Sequence, residues 1–323
     1  MSAVNPSATV IGAGVWGVTL ASWAGGMGTP VRLWSSNAEK VQRLAEQRSH
    51  DGLDGEVSAQ VFVTSDLEEA LQPEMLLLAV PPAHVRGLVE RMAPLLRPEH
   101  RIVHGAKGFC ADGRSVSQVI RDHSCVLRTG ALAGPVAPLD LWRGEDCAAV
   151  IASPFSSLID EVCEFLAHPQ LRIYGSLDLM GVEVGGAMWA PVALAAGMIS
   201  GAGLGRALPA VLLTRAIVEA GRLSIALGGT SQTLSGLAGV GDWMRAVNDP
   251  EDALVSAGAA LGLHPGHCQH KEGASRVATL LSLAERNAVD MPITRAVHEV
   301  IEGRPLADAL AVLMDLPTGL EGH

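Results

Sequence analysis

The chain is short of the features that would point it at large partners. Lysine occurs three times in 323 residues, as Lys40, Lys107 and Lys271, against 34 aspartates and glutamates, and the formal net charge is −11. Nucleic acid or an anionic membrane would demand a basic face, so neither is expected as the main partner. Aromatic residues make up 3%, with one tyrosine and four phenylalanines, while the hydrophobic set reaches 48%. The core must therefore be aliphatic and rich in alanine. The five cysteines (Cys110, Cys125, Cys147, Cys163, Cys268) are odd in number and never spaced Cys-x-x-Cys, the pattern of reduced, mostly buried thiols. No basic-then-apolar leader opens the chain, which leaves the cytoplasm as the expected compartment. A Gly-x-Ser-x-Gly elbow is missing too, so hydrolase chemistry has no support.

What is present begins at Ala8. An apolar, β-rich run, Ala8-Thr9-Val10-Ile11, turns through Gly12-Ala13-Gly14-Val15-Trp16-Gly17 into a helix-like stretch. Gly12 allows a tight turn, Gly14 lets a pyrophosphate approach the backbone, and Gly17 lets the helix sit close on the strand. The helix N-terminus then presents unpaired N–H groups and a positive dipole end to the phosphates. A second strand, Val31 to Trp34, follows at the right interval. Where an NAD-specific site would place an acid on the ribose, Ser35-Ser36-Asn37 stands instead. Ser36 and its neighbours suit a 2′-phosphate, although the usual arginine is missing, so the expected cofactor is NADP before NAD.

Further strands are expected at Val61 to Thr64, Met75 to Val80, Arg101 to His104, Leu127 to Ala131, Ala148 to Ala152 and Leu171 to Tyr174. Ser65 with Glu68 reads as a capping box. Alternation of strands and helices is the doubly wound pattern: an α/β fold with a Rossmann-type, mainly parallel sheet. Beyond about Ser176 the pattern becomes long helices, an all-α C-terminal domain. The expected boundaries are residues 1–175 for the dinucleotide-binding domain and 176–323 for a helical substrate and dimerisation domain. The uncharged segment Gly185 to Gly205 is about long enough to span a bilayer, but its glycines, Pro191 and lack of flanking basic residues favour a helix buried inside that domain. His264-Pro265-Gly266-His267-Cys268-Gln269-His270 has enough ligands for zinc, but a Pro-Gly turn is a poor ligand frame and no metal is expected.

The ordered motifs resemble those of the soluble NAD(P)-dependent glycerol-3-phosphate dehydrogenases. They are Val10 to Gly17, Leu77-Leu78-Ala79-Val80-Pro81, Ala106-Lys107-Gly108, Ala133-Gly134-Pro135, Gly181 to Ala187, Thr214-Arg215 and Gly236 to Asp242. The resemblance implies hydride transfer between nicotinamide and a carbon bearing an alcohol or ketone, a small-molecule substrate and a homodimer. It places Gly12, Gly14, Val15, Trp16, Gly17, Ser36, Pro81, Lys107, Gly134 and Glu272 at the cofactor, and Lys107 and Asp242 at the chemistry.

Several family residues do not carry over. The family's general acid/base lysine falls on Trp189 and the following asparagine on Ala190. The threonine four residues after Asp242 is Ala246, and an Arg-Asn pair that holds phosphate falls on Ala253-Leu254. A phosphate dianion in a cleft needs cationic or N–H partners to replace its hydration. Loss of a general acid commonly costs about 10²–10⁴ in rate. Lys107, after a parallel strand at the ligand-binding edge, is the basic group expected in the cleft; His84 and His104 at strand ends are candidates for the acid/base role, but a structural or solvent-facing place is the stronger expectation for each. The expected function is an oxidoreductase of this family with an altered substrate pocket; the alternative is a dinucleotide-binding protein of the same fold without turnover.

Overall fold

The computed structural model describes residues 7–205, 207–249 and 251–314. The chain divides into two compact units, with the division between Gly186 and Ala187.

The first unit is an eight-stranded sheet: β1 (Ala8–Ile11), β2 (Val31–Trp34), β3 (Val61–Thr64), β4 (Met75–Leu78), β5 (Arg101–His104), β6 (Arg128–Ala133), β7 (Cys147–Ala152) and β8 (Leu171–Ser176). Their order is β3-β2-β1-β4-β5-β6-β7-β8. Every neighbouring pair is parallel except β6 with β7, which meet antiparallel at Ala131 to Ala133. That is the doubly wound order, reversing direction at β1 and β4. The helices are α1 (Val15–Gly26), α2 (Ala38–Gln47), α3 (Leu67–Ala70), α4 (Pro82–Met92), α5 (Val116–His123), α6 (Pro138–Trp142) and α7 (Ser156–Leu166).

The central strands β1 and β4 are buried on both faces, which is why they read as continuous apolar runs. Alternation survives underneath. Met75 and Leu77 of β4 join Val10, Leu33, Leu44 and Leu158 in one core, and Leu76 and Leu78 join Ile11, Val85, Val89 and Ile120 in the other. β4 ends at Leu78, so Ala79 and Val80 belong to the loop. The expected capping box at Ser65 is not formed. Asp66 is the N-cap of the single-turn α3, its carboxylate accepting from Glu68 N and Glu69 N. A carboxylate one residue closer to the turn outcompetes the serine for those amides.

Helix α8 (Leu179–Gly201) carries the chain into the second unit, which continues with α9 (Leu208–Ala226), α10 (Asp242–Asn248), α11 (Ala253–Leu263), α12 (Lys271–Arg286), α13 (Pro292–Ile301) and α14 (Leu306–Met314). Among the described residues α8 is the one helix long and apolar enough to cross a membrane, and 94% of its apolar stretch is buried. Small residues explain how. A Cβ on Gly258 of α11 would lie 2.2 Å from Leu194 O, and one on Gly197 of α8 would lie 2.1 Å from Val255 O. The two backbones touch, leaving no room for side chains at the crossing. Glu219 of α9 is buried and accepts from Ile293 N, Thr294 N and Thr294 Oγ1, capping the start of α13.

Candidate dinucleotide cradle and substrate-side residues

The turn after β1 has the form its glycines require. Gly12 sits at φ 115°, and a Cβ there would lie 2.6 Å from Ala79 O. At Gly17 a Cβ would come within 1.8 Å of Gly12 O, so the helix rests directly on the turn. Gly14 is different. It caps α1 with no side-chain hydrogen bond, and nothing lies within 4 Å of where its Cβ would be. No acidic residue occupies the first turn. Open space in front of uncapped N–H groups at a helix N-terminus fits a pyrophosphate, so these residues fit a dinucleotide.

Trp16 leans onto the loop after β5: a Cβ at Gly105 would be 2.5 Å from its Nε1. The same loop carries Lys107, half-buried, whose Cα and Cγ lie 3.8 Å from the Cβ position of Gly186. Trp16, Lys107 and the first turns of α8 are thus brought together within the first unit. Pro81 caps α4 at φ −59° beside the strand-end loop under Gly12, and Gly134 (φ 120°) follows β6 with its Cβ position 3.2 Å from Ala149 Cα.

At the end of β2, Ser35 is buried and accepts from Asn37 N, while Asn37 Oδ1 accepts from Lys40 N as the N-cap of α2. Ser36 remains exposed. Sequence reasoning overlooked His50 here. Burial and the nearby Lys40 hold its pKa below the usual histidine value, against the opposing pull of Asp51 and a hydrogen bond with the Ala13 backbone. A loop imidazole 37 residues from Ala13 has no spacing signal, so nothing in the sequence could point to it.

His104 is not at a solvent edge. It is buried, with Nε2 3.1 Å from Glu183 Oε1 and 3.2 Å from Ser117 Oγ. Burial pushes the Glu183 carboxyl up, but the His104 hydrogen bond and charge, with donors from Ser117 N and Ser115, hold it below the usual carboxylate range. The pair locks the end of β5 to the start of α8, three residues before Lys107 and three before Gly186. His84 is exposed on α4.

In the second unit, the Arg276 guanidinium lies over the Trp189 ring, 5.4 Å from its centroid, and donates to Glu272 at 2.6 Å. Trp189 and Glu272 are thereby joined through a cation that sequence reading missed. Eighty-seven residues separate Trp189 from Arg276, and cation–π pairs follow no sequence period. Leu254 is fully buried, and its Cδ2 lies 2.4 Å from where a Cβ on Gly273 would be, so this side chain fills space over the first turn of α12. Asp252 caps α11 ahead of Ala253 and pairs with Arg245 at 3.4 Å. Asp242 is fully buried and opens α10 after the π-helical turn Leu237–Gly241. His270 of the histidine tract is engaged as the N-cap of α12, accepting from Gly273 N at 2.9 Å.

A doubly wound sheet with a glycine cradle at its first βα turn, followed by an all-helical unit, defines a two-part dinucleotide-binding protein of the dehydrogenase class. Comparison narrows the class. Residues 7–158 match the NAD-dependent glycerol-3-phosphate dehydrogenase N-terminus and residues 178–311 the C-terminus. Glycerol-3-phosphate dehydrogenase [NAD(P)+] of Bradyrhizobium diazoefficiens is 35% identical over 307 residues, covering 94% of each chain. The enzyme of the same name from Halorhodospira halophila is 36% identical over 321 residues, covering 95% of this chain and 96% of its own. The crystal structure of glycerol-3-phosphate dehydrogenase from Coxiella burnetii superposes with TM-score 0.90 at 28% identity, covering 95% of this chain and 98% of the other. The chain belongs to the NAD-dependent glycerol-3-phosphate dehydrogenase family.

Proposed function

We propose that the chain is an NAD(P)-dependent oxidoreductase acting on a CH–OH or C=O carbon, with a substrate pocket altered from that of the glycerol-3-phosphate dehydrogenases. The observation that carries the altered pocket is Trp189 stacked under Arg276, where the family places its acid/base lysine. An indole wall with one guanidinium already paired to Glu272 suits a carbonyl or imine less charged than dihydroxyacetone phosphate. Burial of Leu254 in place of the phosphate-binding asparagine supports the same reading.

When bound, the nicotinamide supplies or accepts the hydride. The cradle of Gly12, Gly14, Val15, Trp16 and Gly17 would hold the pyrophosphate, with Pro81 and Gly134 at the neighbouring strand ends and Glu272 on the cofactor side. Lys107 would bind the reacting oxygen or give it a proton, and Asp242 would be the buried acid of the substrate side. Exposed Ser36, with no acid beside it, favours NADP before NAD. Homodimerisation is supported by the exposed apolar residues Val211, Val218 and Ile225 along α9 (48%, 49% and 61% exposed), and a cytoplasmic location goes with the same reading.

The test follows NADPH and NADH oxidation with dihydroxyacetone phosphate and with the uncharged hydroxyacetone, while tryptophan-to-nicotinamide energy transfer reports cofactor binding. Cofactor binding with faster turnover of the uncharged ketone is expected. Fast turnover of dihydroxyacetone phosphate that disappears in Lys107→Ala would overturn the altered pocket and keep Lys107 as proton donor. Binding with no turnover of either ketone, or of an imine panel, would leave a cofactor-binding protein.

A further inference from the structure

Beside the second half of α1 lies a cavity of about 390 Å³ in the first unit. None of the cradle glycines lines it. Thr19 and Trp23, which do, stand five and nine residues past Gly14, roughly 7 and 13 Å along the helix axis. In a chain with so few aromatics, two of the six tryptophans, Trp23 and Trp142, form its wall. Both indole N–H groups are committed to backbone carbonyls, Trp23 Nε1 donating to Leu166 O at 3.1 Å and Trp142 Nε1 to Asp54 O. The rings are thus fixed, and π surface is what they can still offer. His168 stands edge-on to Trp23, centroids 5.4 Å apart and planes at 89°.

Charge at the wall has one sign. Asp54 and Glu56 line the cavity, and no lysine or arginine among the described residues does. The third observation is Thr19, a 1% exposed residue of the cavity wall, whose buried hydroxyl has no hydrogen-bond partner in the protein. Buried polar atoms are almost always satisfied, so an orphaned hydroxyl on a residue of the wall points to a polar ligand atom beside it.

We propose that this cavity binds a small organic ammonium ion, separately from the dinucleotide. Tryptophan faces attract cations most strongly of the aromatic side chains, the two carboxylates compensate the charge, and the Thr19 hydroxyl pairs with one polar N–H or O–H of the ligand. An anion is excluded by Asp54 and Glu56. A neutral apolar ligand would leave Thr19 unsatisfied.

Calorimetric titration of the full chain with choline, ethanolamine and cadaverine tests the proposal, alongside 3,3-dimethylbutan-1-ol, which has the shape of choline without its charge. At least one ammonium ion is expected to bind one-to-one, with choline at least tenfold tighter than its neutral isostere if choline is that ion. The double variant Asp54→Asn/Glu56→Gln changes exposed groups and is expected to lose affinity tenfold or more, as is Thr19→Val, while NADPH binding stays within twofold of the parent protein. Saturation by none of the three ions, equal binding of choline and its isostere, or affinity undiminished in the carboxylate variant would each overturn it.

Discussion

Gly14 and Gly17 lie three residues apart in one turn, yet alanine should act at them through different mechanisms. At Gly14 the backbone is at φ −80°, ψ 177°, ordinary for alanine, and the new methyl meets nothing within 4 Å. The fold should lose well under about 1 kcal/mol, the scale of a weakened N-cap. A bound pyrophosphate, however, needs that open space. Displacing it from two charge-assisted N–H contacts removes about 3 kcal/mol, or about 100-fold in Kd. At Gly17 the methyl would sit 1.8 Å from Gly12 O, so strand and helix must part by about 1.5 Å, and overpacking of that size costs about 3 kcal/mol of stability. Paired urea unfolding and NADPH titration by tryptophan energy transfer separate the effects. Gly14→Ala should unfold almost like the parent and bind about 100-fold more weakly. If Gly14→Ala binds NADPH and NADH within threefold of the parent, the pyrophosphate does not cross Gly14 and the cradle argument fails.

Two further outcomes follow from packing and charge. Gly258→Ala would drive a methyl to 2.2 Å from Leu194 O and should lower stability by about 2–3 kcal/mol, whereas Gly87→Ala in α4, with nothing within 4 Å, should raise it by about 0.5 kcal/mol; denaturant midpoints check both. Because the folded-state pKa of Glu183 is depressed, its contribution is present above the unfolded value of about 4.5 and is lost as pH falls through the folded value. Glu183→Gln should therefore destabilise the protein at pH 7 and flatten the fall in stability below about pH 4.5. An unchanged slope in acid-melting curves would refute the His104–Glu183 assignment.

Much of the first unit was legible because its signals are local. Apolar runs bounded by glycine or proline predict the strands to within a residue or two, and Gly12 and Gly17 have steric reasons within the motif or from Ala79 beside it, while Gly14 leaves open space. What escaped was set by competition or by distance. Ser65 has capping chemistry, but Asp66 took the helix amides. His104 read as a strand-end histidine, and its burial depends on Glu183, 79 residues away. That the family's lysine position falls on Trp189 is what the resemblance in the sequence implies. Its partner Arg276 was not visible there, because α12 brings that side chain onto α8 only in the folded unit.

That pairing bears on the substrate pocket proposed above. Returning lysine to position 189 would set an ammonium about 5 Å from the Arg276 guanidinium, a repulsion of about 3 kcal/mol at an effective dielectric constant near 20. Repulsion of that size would turn the lysine side chain away from Arg276 and out of reach of a carbonyl at this position. Trp189→Lys alone should therefore gain no turnover of dihydroxyacetone phosphate and should lose the cation–π contact, about 1 kcal/mol of stability. Adding Arg276→Thr removes the repulsion and frees Glu272, so the double variant should turn over this ketone faster than either single variant. Measured non-additivity between the two substitutions is the decisive quantity. If their effects on turnover simply add, Arg276 does not constrain position 189, and the reason the family lysine is missing lies elsewhere in the pocket.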